Sequence, residues 1–114
     1  MSDHSTHVID LVRAVEQFRD EREWGKFHSP ASLASAISIE AAELLEIFQW
    51  RDGDTVDFDI LNRGANELAD IVIYCLSFAS VTGIDVSNAV RSKLEHNARK
   101  YPVDKFRGIE KWTT

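Results

Sequence analysis

Apolar positions recur every three to four residues along most of this chain, and four stretches carry the pattern of an amphipathic helix. Val8, Leu11, Val12, Val15 and Phe18 form one stripe, predicting a first helix over about Thr6 to Glu23. The polar face beside it, with Arg13, Arg19, Asp20 and Glu21, reads as solvated surface. Ser29 suits a helix N-cap and Pro30 the first helical position, so a second helix runs from there to about Trp50. Arg51-Asp52-Gly53-Asp54 reads as a turn, and Asp54 to Asn62 as a weakly patterned acidic linker holding a short helix and a loop. Gly64 weakens helix by about 1 kcal/mol relative to alanine. The third helix is therefore expected to be firm only from about Ala65 to Val81. It is apolar on nearly all sides and is predicted to be the central, most buried helix. Thr82-Gly83 ends it, Asp85 caps a fourth helix reaching Tyr101, and Pro102 stops that one. Val86, Val90, Leu94 and Tyr101 define the inward stripe of this fourth helix. The expectation is one all-α domain over residues 1–114, a four-helix bundle. A single layer of four helices cannot easily cover the third, which predicts completion by homo-oligomerisation.

Two interruptions of the apolar pattern carry the candidate chemistry. Glu40-Ala41-Ala42-Glu43 and Glu67-Leu68-Ala69-Asp70 each place two carboxylates three residues apart. Such partners lie side by side on a helix, roughly 5–6 Å apart at Cβ. With Glu40 at zero on the helical wheel, Leu33, Leu44, Ile37 and Phe48 fall between about 20° and 80°, and Ile47 near 340°. Glu40 thus lies inside the apolar sector and Glu43 at its edge. On the third helix Ile71, Tyr74 and Phe78 fall within about 40° of Glu67. Unpaired carboxylates in a core-facing stripe cost several kcal/mol. Either Lys or Arg pairs with them across a helix interface, or a cation sits among them. Two inward pairs favour the cation: four anions around one volume make a magnesium site, and magnesium implies phosphate. Glu46 continues the acidic row but points away from the apolar sector, at about 240°, as a peripheral acid.

The connection between the first two helices is rich in aromatic residues. Trp24, Phe27 and His28 either cover one end of the core or form a lid whose rings contact a flat ligand. On the fourth helix Lys93 and Asn97 fall within about 20° of Val86, in the inward stripe. They pair with core acids and a helix end, or they donate to phosphate and sugar oxygens. The protein has 44% hydrophobic and 28% charged residues, a soluble globular composition, and its net charge of −6 argues against a nucleic-acid backbone as partner. Metal ions would have to supply the positive charge for any phosphorylated ligand. Cys75, the single cysteine, excludes an intramolecular disulfide and reads as a buried reduced thiol. The longest near-apolar run, Ile71 to Val81, is too short for a bilayer, and no signal segment opens the chain, so the cytoplasm is the expected compartment. Trp112, in the mixed tail, is free to dock on a neighbour.

These residues resemble a known family. Glu40-x-x-Glu43 followed by Glu67-x-x-Asp70 is similar to the metal motif of the all-α nucleoside triphosphate pyrophosphohydrolases, the MazG-like superfamily. The segments Glu21 to His28, Ala42 to Trp50, Glu67 to Tyr74 and Lys93 to Pro102 resemble its dCTP pyrophosphatase branch, and the likeness runs from about Val8 to Pro102. Two departures are Val15, where some relatives place a pocket histidine, and the poorly fitting stretch Asp54 to Gly64. The resemblance implies a helical bundle that assembles as a dimer or tetramer, and hydrolysis of a (deoxy)nucleoside triphosphate to monophosphate and pyrophosphate. It implies that Glu40, Glu43, Glu67 and Asp70 hold Mg2+, and that Trp24, His28 and Trp50 line the base pocket. It further implies that Tyr74, Lys93, Asn97 and Tyr101 contact phosphate or sugar, and that cytosine is the preferred base. Glu43 or Glu46 at the rim could accept the proton of the attacking water. Two rivals are a phosphoribosyl-ATP pyrophosphohydrolase-like enzyme and a non-catalytic helical interaction module whose acids pair internally.

Overall fold

The computed structural model describes residues 1–54 and 56–109, and helix is the only regular secondary structure among them. Trp112 lies outside the described residues. The chain divides into two compact units, Met1–Gly83 and Ile84–Thr114. The first holds α1 (Val8–Glu21), a single 3-10 turn (Trp24–Phe27), α2 (Pro30–Phe48) and α3 (Phe58–Thr82). The second holds α4 (Val86–Lys100) and a one-turn α5 (Val103–Phe106).

The helix boundaries follow from their caps. The Ser29 hydroxyl accepts the Ser32 N–H at 3.1 Å with Pro30 beside it, opening α2. Asp85 accepts the Asn88 N–H at 2.8 Å and opens α4. Gly83 ends α3 in the left-handed conformation, φ 74°, which an L side chain rarely adopts.

The start of α3 departs from the sequence expectation. It begins at Phe58, two turns before Ala65, and runs unbroken through Gly64. Three terms outweigh the glycine. Asp57 caps the helix by accepting the Ile60 N–H at 2.9 Å. Ile60 itself is only 2% exposed and anchors the first turn in the core. Arg51 reaches over from the end of α2 to Asp57 at 3.3 Å and Asp59 at 3.0 Å, pinning the turn to both acids. An acid in the first helical turn is also favoured by the helix dipole.

The core lies between α2 and α3. Leu33 and Ile47 from α2 meet Ile60, Leu76 and Ala79 from α3, all buried. The two α2 residues are among the five that the wheel placed beside Glu40; Ile37, Leu44 and Phe48 are half-buried. α3 contributes the most buried residues of any described helix, as expected of the central one. Its outer side is nevertheless open, with Leu61 60% and Leu68 55% exposed. Cys75 is on that side too: it is exposed rather than buried, because only part of the circumference of α3 is covered. At 25 residues α3 is also long and apolar enough to cross a membrane, which the shorter run Ile71 to Val81 did not suggest. Within the same helix, Glu67 and Asp70 bring carboxylate oxygens within 4.8 Å of one on Glu40 of α2. On α4 the apolar stripe exists but is uncovered: Val90 is 52% and Leu94 63% exposed, and no residue of that helix is buried.

Candidate metal and nucleotide site

The inward acids of α2 and α3 converge. Glu40, Glu67 and Asp70 each present a carboxylate oxygen within 4.8 Å of the other two. All three are half-buried, as is Glu43 one turn along α2. One oxygen of Glu40 and one of Glu67, their Oε2 atoms, are enclosed without any hydrogen-bond partner. Enclosed carboxylate oxygens without donors are costly, and a cation is the simplest partner that would satisfy several at once. Hard oxygen ligands grouped in this way suit magnesium-type ions.

The electrostatics point the same way. Loss of water around Glu40 pushes its carboxyl up to about 7, with the shared contact and charge of Glu43 and the charges of Asp70 and Glu67 adding to the rise. Glu67 is raised for the same first reason, burial, and then by Glu43, with a hydrogen bond to Glu40 working against the shift. A carboxyl whose pKa rises on folding favours the folded state only while protonated. That stability is fully present below the unfolded value of 4.5 and is lost as pH climbs through about 7. The metal-free protein should therefore melt at progressively lower temperature between about pH 5 and pH 8. Magnesium at a hundred times its Kd should add about 2.7 kcal/mol, on the order of 10 °C, and flatten that pH profile. Melting curves in chelator and in magnesium test both; a metal-free melting temperature that rises over this window would contradict the site.

Two cavities border the acids. One, of about 240 Å³, is lined by Trp24, His28, Asp70, Tyr74, Val15 and Arg19 among others. It brings the aromatic connection, the departure at Val15 and one acid of the cluster into a single space. Glu23 makes this possible by taking a left-handed conformation, φ 52°, which turns the chain sharply between α1 and Trp24. Phe18 meets the Trp24 ring edge-on at 5.7 Å, and the Arg22 guanidinium lies 3.7 Å over Phe18. His28 is half-buried, and its Nδ1 is enclosed without a partner. The other cavity, of about 360 Å³, is lined by Glu43, Glu46, Ile47, Arg63, Asn66 and Glu67. Glu46 is exposed, the peripheral position its wheel angle indicated.

The remaining residues singled out from the sequence fall elsewhere. Trp50, just beyond α2, is 89% exposed and lines neither cavity. Lys93, Asn97 and Tyr101 belong to the second unit. There Lys93 is exposed, Asn97 half-buried, and the Tyr101 ring meets Phe106 edge-on at 5.2 Å. One residue read as solvated surface is not: the Arg19 side chain is only 16% exposed and lines the aromatic cavity. Its spacing of four from Val15 was the available signal, since residues four apart share a helix face.

A MazG-like family model matches residues 35–114. Human dCTP pyrophosphatase 1 is 38% identical over 98 residues, covering 82% of this chain and 58% of that protein. The cattle dCTP pyrophosphatase 1 is 36% identical over 104 residues, covering 87% and 62%. The chain thus spans about three fifths of the length of these curated relatives. The crystal structure of a pyrophosphatase from Archaeoglobus fulgidus superposes with a TM-score of 0.77 at 42% identity, covering 90% of this chain and 98% of that one.

Proposed function

The chain belongs to the MazG-like family, and from that premise we propose that it hydrolyses a (deoxy)nucleoside triphosphate, dCTP or a modified dCTP foremost, to the monophosphate and pyrophosphate. The observation that carries this reading is the group formed by Glu40, Glu67 and Asp70, with two enclosed and unpartnered oxygens, bordering a cavity walled by Trp24, His28 and Tyr74. An anion-rich centre beside a flat-walled cavity suits a metal-chelated triphosphate attached to a base. The relatives named dCTP pyrophosphatase 1 direct the choice of base to cytosine.

In this reading Glu40, Glu43, Glu67 and Asp70 hold Mg2+. The bound ion would neutralise phosphate charge, stabilise the pyrophosphate leaving group and make water a stronger acid. Trp24 stacks on the base and His28 meets its edge. The triphosphate extends from that cavity past the acids toward the rim, where Glu43 or Glu46 takes the proton of the attacking water. Tyr74 contacts the sugar or the first phosphate. The family resemblance further assigns Lys93, Asn97 and Tyr101 to phosphate and sugar contacts and Trp50 to the base. We further take residues 1–114 to work as one domain within a homo-oligomer, a dimer or tetramer, in the cytoplasm, with no nucleic-acid polymer and no membrane as partner.

Pyrophosphate release from dCTP, dTTP, dUTP, dATP, dGTP and phosphoribosyl-ATP in magnesium tests the assignment. The highest kcat/KM is expected for dCTP, and a purine nucleotide in first place would overturn the choice of base. Base stacking contributes about 1–3 kcal/mol and serves ground and transition states alike. In the same assay Trp24→Ala should therefore raise KM by about tenfold and change kcat little.

A further inference from the structure

Arg19 is a charged side chain held nearly out of solvent at the wall of the aromatic cavity, and its surroundings hold it in place. Its Nε donates to the Asp20 carboxylate at 2.9 Å, and its Nη1 donates to the Ser80 hydroxyl at 3.2 Å. Ser80 in turn donates to Glu16. The chain thus clamps one side of the guanidinium between α1 and α3. A guanidinium has five N–H donors in a rigid plane. Two are used; the other three have no partner among the described residues. In the same cavity His28 Nδ1 is enclosed and equally unpartnered. The enclosed Nδ1 and the free donors of Arg19, which are open to the cavity, suit a ligand that supplies the complementary groups.

We propose that Arg19 and His28 together read the edge of the base, and that this pair selects cytosine over thymine and uracil. The inference rests on the nucleotide reading above and deepens it. Cytosine presents two adjacent acceptors, N3 and O2, and one amino donor at C4. The two adjacent acceptors match the planar fork of a guanidinium. The amino group matches a neutral imidazole nitrogen, Nδ1 with its proton on Nε2. Thymine and uracil present an N–H between two carbonyls. Against the same pair, their N3–H meets a donor and their O4 meets a lone pair. Guanine also offers adjacent acceptors at O6 and N7. A space of about 240 Å³ lies below the usual range for a drug-sized ligand, and suits a single ring better than a fused one. Val15, on the same face of α1 as Arg19, adds no polar group of its own, so the guanidinium is the charged donor that α1 offers to this cavity.

The test compares kcat/KM for dCTP and dTTP in the wild type, Arg19→Ala and Arg19→Lys. Arg19→Ala should lower the dCTP value by about 10- to 100-fold, mainly through KM, and change the dTTP value by less than about threefold. Arg19→Lys keeps the charge and loses the fork, so the preference for dCTP should narrow there as well. Ser80→Ala removes the clamp and keeps every donor; it should narrow the preference by a few-fold, and serves if Arg19→Ala does not fold. Equal losses for both nucleotides, with recovery of both in Arg19→Lys, would overturn the inference by making Arg19 a plain counter-charge. An unchanged ratio in all variants would overturn it too. A wild-type protein that turns over no nucleotide would instead sink the reading it rests on.

Discussion

Glu40→Gln and Asp70→Asn should each lower magnesium-dependent turnover on the order of a thousandfold, while the helices remain folded. Both side chains belong to the carboxylate group on α2 and α3, and neither is among the buried apolar residues Leu33, Ile47, Ile60, Leu76 and Ala79. The amide replacements keep size and shape and remove one negative charge. An ion held by three or four carboxylates loses both a ligand and attraction. Lewis-acid stabilisation of phosphoryl transfer amounts to several kcal/mol, and each 1.4 kcal/mol is a factor of ten.

The same substitutions make a second, opposite prediction for stability, which separates a metal site from an internal ion-pair core. Glu40 is raised to about 7 by burial and by its anionic neighbours, so its charge opposes folding above that pH in the absence of metal. Glu40→Gln should therefore melt higher than wild type in chelator at about pH 8, and lower than wild type in saturating magnesium. If the acids were instead paired with cationic side chains, losing one would destabilise the protein under both conditions. Full activity in both variants, or no response of the wild type to magnesium, would end the metal assignment.

The helices and the acids were legible in the sequence for a single reason: both depend on local periodicity. Ser29, Asp85 and Gly83 end or begin helices through local chemistry, and the angles of Glu40 and Glu67 place them on the same sides as Leu33 and Ile71 without any tertiary knowledge. The start of α3 was misread because Gly64 is a local signal, whereas its counterweights, Arg51 across a turn and Ile60 in the core, are not. Arg19 was misread for a related reason. An arginine beside Arg13 and Asp20 looks like surface until Ser80, sixty-one positions away, is seen to hold it. Cys75 and the stripe of α4 were expected to be buried because they are apolar. Pattern tells which face of a helix needs cover; it does not tell whether the cover comes from the same chain.

That missing cover leads to the second large effect. The purified protein should scatter light as a dimer or tetramer, at least twice the 12.9 kDa of one chain, at micromolar concentration. Its fully buried apolar residues are few beside the exposed ones, which include Phe18, Leu61, Leu68, Val72, Ile73, Val90 and Leu94. A continuous apolar groove of about 420 Å³ runs between α1 and α3, lined by Leu11, Ala14, Val72 and Leu76 and sharing Val15, Phe18 and Ile73 with the aromatic cavity. Patches of this kind on an isolated chain mark surfaces that another surface covers. A second copy is the occupant expected here, since an all-round apolar α3 is present in every copy and closed symmetric assembly is the common solution. Val72→Asp puts an unpaired charge in the middle of the groove without touching an acid of the metal site. Burying that charge costs several kcal/mol, so association should weaken by roughly a hundredfold or more. Turnover should fall with it, because three walls of the groove are also walls of the cavity assigned to the base. Light scattering and activity measured on the same dilution series check the two together. A wild-type monomer with full activity at micromolar concentration would refute both the assembly and its link to the site.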